Sequence, residues 1–177
     1  MKRIFFALSL ALAFVAAPAI IAVPNAAAQG VEAVQVMEAE VEALLIANAD
    51  NPEAFAAAVE AYVLAAGDAE LATEAVINVL TNPKSEAARL ALANNPELKA
   101  AGGRGLGAAI AQIGLTNPTV AAAMQAKVEA SNDESLQAAV SEGNAERTAS
   151  IQQQQAAESG ETAENNDSTP ETPVSPN

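Results

Sequence analysis

The residues Leu-Thr-Asn-Pro occur at positions 80–83 and again, 35 residues later, at positions 115–118. Asn and Pro together favour the start of a helix, because Asn caps free backbone N–H groups and Pro at the first helical position loses only an N–H that has no partner. Two further Asn-Pro pairs begin at Asn51 and Asn95. Each of these pairs therefore predicts the end of one helix and the start of the next.

The repeated motif belongs to a longer similarity between residues 66–91 and 101–126, which predicts two related units, 66–100 and 101–135. A repeat of this length with two helices per unit is typical of helical-hairpin arrays. In general layout it resembles the tetratricopeptide class, although the aromatic and Gly signature of that class is absent. The alternative is a compact bundle of about six or seven short antiparallel helices, two of whose hairpins arose by duplication. Both arrangements are all-α, and the sequence leaves the choice open.

Apolar residues recur with helical spacing between the Asn-Pro pairs. Phe55, Val59, Tyr62 and Val63 are spaced i, i+4, i+7 and i+8, and strand-like alternation is not seen. The helices predicted from this spacing and from the caps span 31–48, 52–66, 69–81, 83–94, 104–116, 118–130 and 132–143, with one further helical turn at 96–100.

Two other places carry helix-capping signals. Gly67 followed by Asp68 predicts a helix end and then an N-cap. Ser131 with Glu134 three residues later matches a capping box, which predicts the start of the last helix.

The N-terminal residues have the layout of a secretory signal peptide, 1–28. Lys2 and Arg3 precede an apolar run that Pro18 interrupts, and the small residues that end at Ala28 suit a signal peptidase, so we expect cleavage after Ala28. The protein would then be exported to the periplasm or the medium. The alternative is a retained membrane anchor, because residues 4–23 are long enough to span hydrocarbon.

The mature chain divides near residue 144 into a helical domain, 29–143, and a tail, 144–177. The tail holds two large apolar residues, Ile151 and Val174, so it buries too little surface to offset the entropy of ordering it. We therefore predict a disordered acidic tail containing Gln, Ser, Thr and Pro, which a helix enters as far as Ile151.

Composition excludes several classes of function. The 177 residues include 22 acidic and 8 basic ones, for a formal net charge of −14, and neither Cys nor His occurs. Without thiolate or imidazole groups we expect no catalytic triad, no metal site and no cofactor. The acidic balance argues against nucleic-acid binding. Removal of Lys2 and Arg3 with the signal would change the formal charge to −16, and we then expect no stable membrane insertion.

The most conspicuous local motif is the glycine-rich stretch around Arg104. Gly102, Gly103, Arg104 and Gly105 precede a predicted helix, where backbone N–H groups could hold a phosphate or carboxylate. The spacing matches neither a dinucleotide-binding motif nor a P-loop. The simpler interpretation is a flexible connection between helices, where Gly permits positive φ.

Phe55 and Tyr62 are the aromatic residues that remain after the predicted signal, and they share one helix face. Exposed, they could anchor a partner protein. Beside Val59 and Val63, they are more typical of a helix core.

The carboxylates have structural explanations in the sequence. Three carboxylates on an early helix are expected to face solvent: Glu38, Glu40 and Glu42. Four others fall in the first turns of helices, where the helix dipole favours negative charge: Glu53, Glu70, Glu97 and Asp133.

These observations predict an exported, non-enzymatic helical protein, an adaptor or structural module of the envelope or medium that binds a protein partner or itself. The alternative is an envelope protein that binds a small apolar ligand or lipid. A carboxylate-dependent enzyme is third.

Overall fold

The computed structural model describes residues 26–158, and within that range the chain forms seven α-helices and no strand. The all-α prediction is confirmed. The helices are α1 (Ala26–Ala47), α2 (Pro52–Ala65), α3 (Ala69–Thr81), α4 (Glu86–Asn94), α5 (Glu97–Gly114), α6 (Pro118–Ala130) and α7 (Glu134–Glu158).

Helix α5 lies at the centre of the bundle. It packs against α2, α3, α4, α6 and α7, while α1 covers α3 and α4 from the far side. In an open array each hairpin would contact only its neighbours in sequence. Helix α5 packs against α2, and this contact skips the hairpin α3–α4, so the helices form a closed bundle.

Glycines allow the close packing around α5. A Cβ atom at Gly105 would overlap the carbonyl oxygen of Ala56 on α2, and one at Gly107 would overlap that of Val140 on α7. Gly143 on α7 approaches the backbone at Arg104 in the same way. Only a residue without a side chain permits backbones to lie this close.

The prediction of a flexible connection between helices at Gly102, Gly103 and Gly105 is therefore wrong. The predicted helical turn at 96–100 and the predicted helix at 104–116 are parts of one continuous helix, α5. Gly disfavours helix in isolation, but here the packing that Gly permits outweighs its low helix propensity.

Two of the Asn-Pro pairs start helices as predicted. The Oδ1 atom of Asn51 accepts a hydrogen bond of 3.1 Å from the backbone N–H of Ala54, and Oδ1 of Asn117 accepts one of 3.3 Å from Val120. Pro occupies the first turn in both helices, α2 and α6.

The other two Asn-Pro pairs end helices without starting the next one at Pro. Asn82 is the C-cap of α3, and Asn95 is the C-cap of α4. Helix α4 begins three residues later than predicted, because the side chain of Ser85 caps it by accepting a hydrogen bond of 3.2 Å from the N–H of Ala88.

Of the two other predicted N-caps, Asp68 and Ser131, the structure confirms only the first. Asp68 caps α3 as predicted, through the N–H groups of Glu70 and Leu71. The capping box at Ser131 is wrong: Asp133 caps α7 by accepting a hydrogen bond of 3.0 Å from the N–H of Leu136.

The two predicted repeat units are not structurally equivalent. Gly67 lies between α2 and α3, whereas its counterpart Gly102 lies inside α5. Leu80 is 2% exposed in the core, whereas its counterpart Leu115 is 56% exposed. The sequence similarity at 80–83 and 115–118 therefore marks two helix ends in different surroundings.

Helix α7 continues past the predicted domain boundary at residue 143. Residues 144–158 are helical, so α7 runs seven residues beyond Ile151, where the helix was predicted to end. Residues 159–177 lie outside the described residues, as does the predicted signal peptide apart from its last three residues, which begin α1.

Candidate functional site

The residues of the predicted anion site lie in the middle of α5. Gly102 packs beneath Phe55 and Leu80, where a Cβ atom would be 2.9 Å from Cε1 of Phe55. Inside a helix the backbone N–H groups bond to carbonyl groups one turn earlier. Gly102, Gly103 and Gly105 therefore do not present the free N–H groups at a helix start that the predicted anion site required.

The two residues of the predicted aromatic pair, Phe55 and Tyr62, differ in how deeply they are buried. Phe55 is fully buried, so it contributes to the core and cannot contact a partner. Tyr62 is half-buried, and its hydroxyl donates a hydrogen bond of 2.9 Å to Oε2 of Glu40 on α1. Burial, together with the Glu40 carboxylate, raises the pKa of Tyr62 above its ordinary value. Tyr62 thus joins α2 to α1.

Arg104 lines a groove that crosses α5 between α2 and α7, with a volume of about 470 Å³. Nη2 of Arg147 on α7 lies 2.5 Å from Oε1 of Glu60 on α2, which forms an ion pair across the groove. Arg104 itself lies 4.0 Å from Glu142.

This groove, which we call the α5 groove, carries charges of both signs on a floor of small residues. Three Glu side chains line it beside the two Arg side chains, so it has no excess of positive charge for an anion. Its lining residues are Glu53, Ala56, Ala57, Glu60, Arg104, Gly105, Ala108, Gly143, Glu146, Arg147 and Ser150.

Two carboxylates of α1 are buried, contrary to the expectation that Glu38, Glu40 and Glu42 all face solvent. Glu38 is 5% exposed and Glu42 is 8% exposed, whereas Glu40 faces solvent. Oε1 of Glu38 accepts a hydrogen bond of 2.8 Å from the side-chain amide of Asn78, and its other oxygen pairs with the ammonium group of Lys84.

Glu42 binds the chain between α3 and α4. Its carboxylate accepts hydrogen bonds from the backbone N–H groups of Lys84 and Ser85, the latter at 3.1 Å. Burial alone would raise the pKa of Glu42, but the hydrogen bonds from Ser85 and Lys84 outweigh burial and lower it. The sequence contained a signal for this burial, because Glu38 and Glu42 share a helix face with Val34, Val41 and Leu45.

Further ion pairs join other helices of the bundle. Lys99 on α5 pairs with Asp133 before α7, and Nζ of Lys127 on α6 lies 2.8 Å from Oε2 of Glu74 on α3. The side chains of Lys99 and Ser135 bind the carboxylate of Asp133 and lower its pKa to about 2. The carboxylate of Asp133 is therefore held in its ionised form.

A cleft of about 370 Å³ lies between α1 and α3. Its walls include Val31, Val34 and Leu71. Its polar side is formed by Gln35, Glu38, Glu74, Asn78 and Lys84. Small ligands commonly bind between helices in clefts with apolar walls and a few polar groups.

The opposite side of α1 presents apolar side chains to solvent. Val36 is 57% exposed and Ile46 is 43% exposed, and the exposed residues Ala39 and Ala43 lie between them. A shallow depression runs along this side. We call this surface the α1 outer face; it comprises Glu32, Gln35, Val36, Ala39, Glu40, Ala43 and Ile46.

Two chemical properties of residues 26–158 can be read directly from the structure. No three His, Cys, Asp or Glu side chains in this range lie close enough together to hold a metal ion. None of its helices is both long and apolar enough to cross a membrane.

No protein-family model matches the chain, and neither a curated protein nor a solved structure shows significant similarity to it.

Proposed function

We propose that this chain is an exported, non-enzymatic interaction protein that binds another protein through the α1 outer face. The observation that carries the proposal is that α1 is apolar on two sides. Val34, Val41 and Leu45 pack into the core, while Val36 and Ile46 remain exposed on the other side. Exposed apolar surface on a rigid element is typical of protein interaction sites.

The carboxylates also support an interaction protein over an enzyme. Catalytic acids need a pKa near the working pH. Hydrogen bonds and ion pairs instead lower the pKa of Glu42 and Asp133 and keep both ionised. Glu38 and Glu74 are bound to Lys84 and Lys127 as structural partners.

Site-specific photo-crosslinking tests the interaction. A photoreactive amino acid is placed at Val36 on the α1 outer face, and in the matched control at Gln152, which is exposed on α7. We expect a discrete crosslinked species from position 36 in cells of the natural source and none from position 152. Uncrosslinked monomer at both positions would contradict the proposal.

Export rests on the signal-like N-terminal sequence. Cleavage after Ala28 would remove three residues of α1 and leave its buried face, from Val34 onward, intact. We expect the protein to be recovered from the periplasm or medium of a bacterial host with Gln29 at its N-terminus. Recovery from the cytoplasm with Met1 retained would contradict export.

A second candidate function is binding of a small apolar ligand, which the cleft between α1 and α3 favours. Replacing Leu71, a residue of the cleft wall, with Trp would fill this cleft. Native mass spectrometry of the purified protein would then show a bound small molecule in the wild type and not in Leu71→Trp. Identical masses of protein alone in both samples would contradict this function.

A further inference from the structure

We infer that the partner of the α1 outer face is a cationic amphipathic helix, with Lys or Arg beside an apolar seam. This inference rests on the function proposed above and names the chemistry of the partner. It follows from the spacing of the exposed apolar residues, from their size, and from the charges beside them.

The spacing of the exposed apolar residues fits a helix. Val36, Ala39, Ala43 and Ile46 are separated by three, four and three residues, which places them in one row along α1. Rows with this spacing pack against a second helix through residues with the same period. The row covers about three helical turns, so the partner segment needs a similar length.

The sizes of these residues determine which side chains of the partner helix fit against them. Ala39 and Ala43 line the shallow depression together with the larger Val36, and the larger Ile46 follows Ala43 in the row. Small residues in the middle of a helix face leave room for large side chains of a facing helix. We therefore expect Leu or a residue of similar size at the centre of the partner seam.

Helix α1 is held firmly by its inner side. Val41 and Leu45 are fully buried, and the carboxylates of Glu38 and Glu42 bind groups of α3 and of the chain before α4. A partner would therefore meet an outer face that is already ordered, and little ordering entropy would oppose binding.

The charge beside the row selects a cationic partner. Glu32 and Glu40 are exposed on the α1 outer face, and residues 26–50 contain no Lys or Arg. Opposite charges flanking an apolar seam favour association, and like charges oppose it. In an antiparallel pair formed by a second copy of α1, the two Glu40 side chains would lie near each other, which disfavours self-association. Anionic lipid headgroups would meet the same repulsion.

The test uses two synthetic helical peptides of 18 residues that share one Leu seam. Lys and Arg flank the seam in one peptide, and Glu flanks it in the other. Binding to the full mature chain is measured by fluorescence anisotropy at low and high salt. We expect the cationic peptide to bind at least tenfold more tightly than the acidic one, with an affinity that falls as salt rises.

Two matched variants locate the binding surface. Ala43→Arg places a long cationic side chain in the row, and Ala145→Arg places the same side chain on the exposed surface of α7. We expect Ala43→Arg to weaken binding of the cationic peptide at least tenfold and Ala145→Arg to change it less than twofold. Far-UV circular dichroism checks that both variants keep the helical fold.

Neutralising the flanking charges tests the selection by charge. In the double variant Glu32→Gln, Glu40→Gln, the Gln at position 40 can still accept the hydrogen bond from Tyr62. We expect this variant to bind the cationic peptide about threefold more weakly, because each exposed ion pair contributes little. We also expect the salt dependence to decrease.

Equal binding of the two peptides, or equal effects of the two Arg variants, would overturn the inference. Dimerisation of the free protein that Ala43→Arg abolishes would overturn it in favour of a second copy, and binding to phosphatidylglycerol vesicles would overturn it in favour of a membrane. In either case the proposed function, binding of a protein partner, is tested independently by photo-crosslinking from position 36. A crosslinked protein partner together with no preference for the cationic peptide would refute the inference alone.

Discussion

Single carboxylates decide how α1 attaches to the bundle. Glu38 and Glu42 lie on the same side of α1 as its apolar residues and bind Asn78, Lys84 and Ser85. The apolar residues on that side were a signal for this burial in the sequence, but Glu in an acidic helix is usually solvated, so both carboxylates were expected to face solvent. The partners stand about 40 residues further along the chain, and only the tertiary fold brings them together.

Replacing Glu42 with Ala should lower the free energy of unfolding by about 1–3 kcal/mol, because the partly buried N–H groups of Lys84 and Ser85 would lose their acceptor. Glu32→Ala, which removes an exposed carboxylate from the same helix, should change stability by less than about 0.5 kcal/mol. Urea denaturation of the two variants measures the difference. Equal stability of both variants would show that Glu42 does not hold the chain between α3 and α4.

Asp133 should make stability depend on pH in the acid range. Its pKa is lowered to about 2 in the folded protein, from an ordinary value of 3.8. The stabilisation is therefore fully present above about pH 4 and is lost as the pH falls toward 2. Asp133→Asn keeps a side-chain cap for α7 but removes the charge that Lys99 binds.

The wild type should accordingly be more stable than Asp133→Asn by about 1–2 kcal/mol at pH 7, and this difference should fade between pH 4 and pH 2. Urea unfolding of both proteins at three pH values provides the measurement. The other carboxylates titrate in both proteins, so their effect cancels in the comparison. A difference that stays constant with pH would contradict the role of the charge.

In helix α5, tertiary contacts determine the structure that the glycine residues adopt. Glycines at 102, 103, 105 and 107 indicate a connection when the sequence is considered alone, because Gly weakens an isolated helix. In the fold, the same residues allow α2 and α7 to approach α5 at backbone distance. The Ala-rich helices were predictable from their spacing and caps, whereas α5 depends on neighbours that the local sequence does not reveal.

Substituting Gly107 with Ala should destabilise the protein by about 3 kcal/mol, because the added Cβ atom would force α5 and α7 apart. Gly114→Ala provides the control within the same helix: its Cβ atom would lie 3.7 Å from Cβ of Ala121, an ordinary contact. That variant should be as stable as the wild type or about 0.5 kcal/mol more stable, since Ala is the better helix former. Thermal and urea unfolding compare the two, and similar losses would argue against the close approach.

At the scale of the molecule, the sequence predicted the all-α class but left open whether the helices form an array or a bundle. The repeat of Leu-Thr-Asn-Pro favoured equivalent hairpins, yet Leu80 is buried and Leu115 is exposed. Local sequence determines where a helix ends, and packing partners determine which of its sides is buried. The cleft, the α5 groove and the α1 outer face all depend on that packing and were not predictable.

The bundle should tolerate loss of the C-terminal part of α7 but not of its first turns. Leu136 and Val140 are fully buried, whereas residues 152–157 are exposed. A chain that ends at Ile151 should therefore unfold within about 2 °C of the full-length protein. A chain that ends at Ser131 should lack a cooperative thermal transition, because α5 would lose its α7 neighbour. A cooperative transition in the shorter chain would contradict the central role of the contact between α5 and α7.

The packing of α5 against α7 also restricts when the protein can fold during its synthesis. Gly107 meets Val140, and Gly143 meets Arg104, so the centre of the bundle is incomplete until the ribosome has released residues beyond 143. Before that point the Gly-rich segment has too little intrinsic helix propensity to form α5 alone. We therefore expect a nascent chain that ends before residue 143 to lack the close contacts that join α5 to α7.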